Sequence, residues 1–299
     1  MQGLLSKNNR TTQHFFRQSS QHQQGCVTIC LMVELTRCVR FCLNAQSAQD
    51  SGKYNTFSAW PAMQGLGRYY ELSVTCKGEP DAQTGYFLNI KEIDTAVREH
   101  VLPYLLTCIC DQAHTSALAM GHLMQEIITR LQLPLDQSVI RVQLAITPFY
   151  KLQIRSSNMA EVVLHQQYDF AAAHRLHVAK LSDEQNQQLF GKCNNPSGHG
   201  HNYQFEVAVR CPIDAEGHLH TVAAIDEVVD RVILVPLDHK HLNEDVPVFK
   251  NLNPSVENIA KVIYDWLVEP MKEMNLSLQV VSVWETHKTR CTYPAGVLS

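Results

Sequence analysis

The sequence predicts an α+β fold made of two copies of one module, each with four strands and two helices. Three observations carry this: an internal repeat, segments of period-two alternation, and two apolar stripes at helical spacing. The repeat comes first. Residues 65–74 read GLGRYYELSV and residues 198–207 read GHGHNYQFEV. DAQTG (81–85) then answers DAEG (214–217), IDTAV (93–97) answers IDEVV (225–229), and VLPYL (101–105) answers ILVPL (233–237). Upstream, RFCLNA (40–45) lines up with DFAAAH (169–174). Self-similarity in fixed order over more than a hundred residues marks a duplicated unit. The expected modules are 32–156 and 157–299, preceded by a distinct segment, 1–31.

The second copy supplies the clearer elements. A first strand is expected at 161–173. Tyr203 to Val209 alternates and is rich in β-formers, so it reads as a strand. Asp214 and Gly217 mark a hairpin turn, which predicts a following strand at about 218–224. Ile225, Val228, Val229 and Val232 share one face of a helix over 225–235. Asn253-Pro254 opens a second helix, with Asn as the cap and Pro in the first turn. Val256, Ile259, Ala260, Ile263, Trp266 and Leu267 form its apolar stripe. Leu278 to Trp284 is the expected final strand.

Composition bounds the function. The chain has 299 residues, 45% of them hydrophobic, and a formal net charge of -4. That length admits one large domain or two small ones, and the composition excludes a wholly disordered chain. The weakly acidic balance argues against nucleic-acid binding through bulk charge. No apolar run reaches the ~18 residues of a membrane span. The ten cysteines are scattered without C-x-x-C pairs, which points to reduced thiols in a cytoplasmic protein. Residues 1–31 are rich in Gln, Asn, Ser and Thr, and the first acid is Glu34. Such a start fits a disordered tail, upstream sequence read from a wrong start with Met32 as the true one, or an organelle transit peptide.

The chemistry concentrates in the second copy. His199 and His201 stand two apart where a strand begins, so they point to one side and suit a shared metal. In a chain with 15 histidines they also fit surface imidazoles. His174 ends the first strand in an apolar FAAAH context, where an unpaired imidazole is costly to bury. Three neutral imidazoles with an open fourth position make a catalytic zinc site. His177 is a rival third ligand that falls past the strand. Cys193 lies in the loop LFGKCNNPSGHGH, as an idle loop cysteine or as a thiolate favoured by nearby metal or imidazolium charge. Asp238-His239 follows a helix end, as a solvated pair or as a carboxylate that fixes an imidazole for proton transfer. Glu285, at a strand end in VSVWETH, is either a surface charge or an anchor for a ligand with adjacent N–H donors.

The repeat acts as an internal control. His199 and His201 align with Leu66 and Arg68, His174 with Ala45, Asp238 and His239 with Leu106 and Thr107, and Glu285 with Ile146 or Thr147. The scaffold positions persist while the polar candidates vanish together, as expected of residues that served one site.

FAAAHRL, LSDEQNQQLFGKCNNPSGHGHNY, PLDHKHLNEDVP, PSVENIA and VWET, taken in order over 165–287, resemble the 6-pyruvoyl-tetrahydropterin synthase family and its relative in queuosine biosynthesis, 6-carboxytetrahydropterin synthase. The resemblance implies the tunnelling (T-) fold, four antiparallel strands with two helices on one face. It implies Zn2+ on His174, His199 and His201, a proton-transfer group of Cys193, Asp238 and His239, a pterin anchor at Glu285, and a substrate contact at Glu257. The implied activity is a zinc-dependent lyase acting on a pterin triphosphate, 7,8-dihydroneopterin triphosphate, in a homo-oligomer without nucleic-acid or membrane partners. Two products are open: 6-pyruvoyl-tetrahydropterin by triphosphate elimination, or 6-carboxy-tetrahydropterin with acetaldehyde release. The spacing from Cys193 to His199 looks like that of the pyruvoyl-forming members, whereas AAIDEVV departs from the Asp-Phe pattern expected at that helix start. The competing readings are a non-catalytic zinc-stabilised assembly module, with the first copy degenerate in either case, and a generic zinc hydrolase.

Overall fold

Alternating apolar residues along each strand create one buried face, and that face organises the molecule. A computed structural model describes residues 32–44, 57, 59–112, 119–220 and 222–297. The expected tail at 1–31 and Ala45 lie outside these residues. In chain order, β1 is Val33–Leu43, β2 Arg68–Gly78, α1 Ile90–Ala96, α2 Leu102–Gln112, α3 Met120–Gln132, β3 Val139–Ala145 and β4 Tyr150–Arg155. The pattern then recurs with β5 Asn158–His174, α4 Asp183–Phe190, β6 His199–Pro212, α5 Val222–Val229, α6 Val235–Leu237, β7 Lys240–His241, α7 Leu242–Asp245, α8 Val256–Glu273, β8 Ser277–Thr286 and β9 Thr289–Tyr293.

The strands form one sheet in the order β1-β2-β3-β4-β5-β6-β8-β9, with β7 attached to β5. Each neighbouring pair is antiparallel except β5 with β7. The fold class is therefore α+β, two successive four-stranded antiparallel units with their helices on one face. Register explains why one face is buried. Val39, Leu72, Leu144, Leu152, Leu164, Val209 and Leu278 stand opposite one another in an unbroken row across the sheet. The helices cover this row in a single apolar core. A one-residue slip in any strand would turn its members of the row to the other face.

In both halves a π-helical turn links two helical pieces, at Val97–Val101 and at Asp230–Leu234. Pro103 and Pro236 follow at matching places. A proline ring clashes with the carbonyl four residues back, and a widened turn relieves that clash.

Two expectations need correction. Among the described residues of 218–224 no strand forms, and α5 already begins at Val222. Both edges of β6 are taken, by β5 and by β8, so a hairpin arm there has nothing to pair with. The fourth strand is instead β9, which pairs with β8. The cap of α8 is Ser255, whose side chain accepts from Asn258 N, so Pro254 precedes the helix rather than opening it.

The opposite face carries polar cross-strand pairs. His165 Nδ1 lies 3.1 Å from Glu206 Oε1, and Lys151 Nζ donates to Glu206 Oε2 at 3.3 Å. Burial works to raise the Glu206 carboxyl, but the His165 and Lys151 contacts prevail and hold it below the usual range. Its contribution to stability is complete at neutral pH and is lost as acid protonates it below the usual carboxylate range. Glu206→Gln is expected to cost about 1–3 kcal/mol, since it leaves two partners of a charged network unmatched. Denaturant unfolding at pH 7 and at pH 4 checks this. The deficit should shrink at the lower pH, and an equal deficit at both would contradict the assignment.

Candidate active site

His174 is the last residue of β5, and His199 opens β6 directly opposite it in the antiparallel register. His201 is opposite Ala172, one alternation along, so all three imidazoles leave the same face. The small Ala172 side chain leaves room beside His201. The ligand atoms of the three histidines all lie within 4.8 Å of one another. His174 Nε2 is 3.1 Å from His199 Nε2. The turn before β6 is held by Gly198, at φ +69°, where an added Cβ would stand 2.7 Å from His241 Nε2 and 3.0 Å from the His174 carbonyl oxygen.

The surroundings fit a metal. His174 Nδ1 is 2.7 Å from the Pro254 carbonyl, which only accepts, so Nδ1 carries the proton and Nε2 is left with its lone pair. Burial pushes His174 down to about 4. Burial and the neighbouring His201 also lower His199. Both rings are thus neutral at pH 7, the form that ligates. His199 Nδ1 and His201 Nε2 are buried without a hydrogen-bond partner. Buried polar atoms of this kind call for a ligand or an ion.

Glu285, at the far end of β8, reaches the same place. Its Oε1 lies 3.4 Å from His174 Nε2 and 3.5 Å from His201 Nε2. Beneath the cluster, Tyr203 places its hydroxyl 3.3 Å from each nitrogen of His174. Burial, and then the nearby Glu285 carboxylate, push the Tyr203 phenol well up. Cys193 sits in a 3₁₀ turn, Gly191–Asn194, and its carbonyl accepts from Leu176 N at 2.8 Å.

Asp238 and His239 follow α6, as the sequence implies. Asp238 Oδ1 accepts from Ala171 N at 2.8 Å, and Oδ2 lies 2.8 Å from His239 Nδ1. The Ala171 N–H, followed by the His239 bond, holds the Asp238 carboxyl below its usual range. His239 stands at φ 56° and its imidazole is 82% exposed. It lines an open cleft of about 500 Å3 together with His201 and Ala171–Ala173. Among the described residues Cys193 has no hydrogen bond or ion pair with Asp238 or His239. Glu257 is exposed in the first turn of α8, where its charge, after burial, helps push the Cys291 thiol up. It is not part of the histidine cluster. His177 is not in it either, because its Nδ1 is engaged by Asn194 Oδ1 at 3.0 Å.

Sequence reasoning overlooked the asparagines that hold this corner. Asn243 pairs with both backbone groups of Arg175, at 2.8 and 3.0 Å. Asn253 Oδ1 accepts from His177 N, and buried Asn186 holds both backbone groups of Val178. These amides replace strand partners where β5 ends. Their positions inside the LNED, LNP and EQN runs were the available signal.

Fold and site together define a tunnelling-fold protein with a three-histidine candidate metal centre. The family profile described as "6-pyruvoyl tetrahydropterin synthase" matches residues 163–295. A 6-pyruvoyl tetrahydrobiopterin synthase of Poecilia reticulata is 43% identical over 126 residues, 42% of this chain and 84% of that protein. The Homo sapiens protein of the same name is 44% identical over 126 residues, 42% and 85% of the two chains. The solved structure of Caenorhabditis elegans 6-pyruvoyl tetrahydropterin synthase is 38% identical, covers 44% of this chain and 94% of that one, and gives a TM-score of 0.42. The chain belongs to the 6-pyruvoyl tetrahydropterin synthase family.

Proposed function

We propose that the chain is a zinc-dependent lyase that converts 7,8-dihydroneopterin triphosphate to 6-pyruvoyl-tetrahydropterin with loss of triphosphate. The observation that carries this reading is the convergence of His174, His199 and His201 with Glu285 in the half of the chain that matches named synthases. Imidazole donors suit zinc. Bound there, zinc supplies Lewis acidity toward the hydroxyls of the substrate side chain. The remaining work falls to the protein. Glu285 offers a carboxylate to the N–H donors of the pterin ring. Cys193 takes a proton from the side chain. His239 moves a proton at Nε2, because Asp238 fixes its Nδ1. Glu257 is carried as a further pterin contact on the family resemblance alone.

The first half, 32–156, is read as a scaffold copy without chemistry, since it lacks each of these residues. Its Leu66 and Leu106, which replace His199 and Asp238, do not close over a dry pocket, because Leu66 is fully exposed and Leu106 is exposed as well. Among the described residues β1 and β9 are the edge strands of the sheet, and open edges invite pairing. This supports a homo-oligomer, in which Cys193 of one copy can meet Asp238 and His239 of another. The free thiols, Cys193 among them, fit a cytoplasmic location. No helix among the described residues is long and apolar enough to cross a membrane.

The test is product analysis by mass after zinc-loaded full-length protein is incubated with dihydroneopterin triphosphate. Equal amounts of 6-pyruvoyl-tetrahydropterin and triphosphate are expected. Acetaldehyde with 6-carboxy-tetrahydropterin would assign the queuosine-type reaction instead. No turnover would favour the zinc-stabilised assembly module.

A further inference from the structure

The face of the sheet away from the helices encloses a second cavity, of about 410 Å3. The sheet curls around it so far that Thr36 of β1 and Thr292 of β9, from its two ends, line the same space. The lining is polar: Arg141, Arg290, Gln153 and His165 contribute, with no part taken by the three-histidine cluster. Gln153 and His165 are 6% and 7% exposed, yet Gln153 Nε2 and His165 Nε2 have no hydrogen-bond partner. Arg141 is directly opposite Arg155 across β3 and β4, a like-charged pairing that is destabilising by itself. Burial, and then the facing Arg141, push the Arg155 guanidinium down from its ordinary value. Glu206 is the acid in the lining, and Lys151 and His165 already engage it. Arg141 has no acidic partner among the described residues.

We propose that this cavity is a second ligand site, which binds a phosphate-type oxyanion through Arg141 with Gln153 as an amide donor. An oxyanion in the cavity gives the Arg141 guanidinium, which lines it, a counter-charge, and guanidinium suits phosphate geometry. The Gln153 amide gains the acceptor it lacks in the free fold. The chemistry of the site is distinct from metal ligation, so the two sites are separable by mutation.

Calorimetric titration of the full-length protein with inorganic phosphate, triphosphate and a nucleoside triphosphate tests this. His199→Ala serves as the background without the metal cluster. Saturable binding is expected in both the parent and His199→Ala, together with a rise in Tm. Arg141→Gln is expected to weaken it about tenfold or more, and Arg141→Lys to restore part of the loss. Tighter binding of the nucleotide would mark the anion as part of a nucleotide, and equal affinities would mark a free inorganic ion. The proposal fails if binding is unchanged in Arg141→Gln, if it disappears in His199→Ala, if no saturable binding occurs, or if citrate binds more tightly than each phosphate compound. Failure of the pterin reaction leaves the outcome untouched, because no readout depends on turnover.

Discussion

His174→Ala is expected to lose bound metal and turnover together. The side chain is fully buried, and its Nε2 is the atom left free by the Nδ1 bond to Pro254. Loss of a partner that only orients a ligand typically costs ~10–100-fold in metal affinity. Loss of the ligand itself should exceed that range, so metal analysis after desalting should find the variant essentially empty. The change also strands the Pro254 carbonyl, at about 1–3 kcal/mol. His177→Ala provides the control, since its ring is held by Asn194 outside the cluster. It should keep full metal content. The parent should hold one metal per chain, because the first half offers Leu66 and Arg68 where the second has His199 and His201. Two metals per chain, or full retention in His174→Ala, would overturn the assignment.

Much of the fold was legible because alternation and helical stripes encode burial directly. β5, β6, β8 and α8 lie within a few residues of where the apolar pattern puts them. The error at 218–224 arose because Asp214 and Gly217 do form a turn, with Gly217 at φ 86°, but a turn does not dictate a hairpin. Whether its second arm pairs depends on a free strand edge, a tertiary fact that no local signal contains. β9 was missed for the converse reason. It is five residues long and is made a strand by β8, not by its own propensity.

The site was legible to the extent that period two and a shared strand pair imply convergence. His174, His199 and His201 follow from that argument. Glu285 was legible as a strand-end carboxylate, but its approach to His174 and His201 required the order β5-β6-β8. The asparagine clamps and Tyr203 were not legible, because their partners are backbone groups and a ring 29 residues away. The polar cavity on the other face was invisible for the same reason. Thr36 and Thr292 become neighbours of one space only through sheet curvature.

Cys193→Ala is expected to keep metal and Tm while kcat falls by about 10²–10⁴-fold, the usual contribution of a general acid or base. The separation follows from how the residue is held. Its structural contact is through the backbone, the carbonyl that accepts from Leu176 N, and alanine preserves it. Its half-buried side chain is small, so truncation leaves little cavity. The metal-ligating cluster is His174, His199 and His201, without Cys193, so removing the thiol leaves the metal ligands in place. KM should therefore change little if Glu285 anchors the pterin ring, as proposed. Cys193→Ser should rescue poorly, since a hydroxyl is a far weaker acid than a thiol and yields almost no anion near neutral pH. Alkylation of the parent should abolish turnover in step with modification of Cys193, read by peptide mapping among the other free thiols, and bound substrate should slow it. If Cys193→Ala turned over at the parental rate, proton abstraction would have to pass to another group, and the first candidate is the Asp238–His239 pair, whose imidazole lines the cleft beside His201.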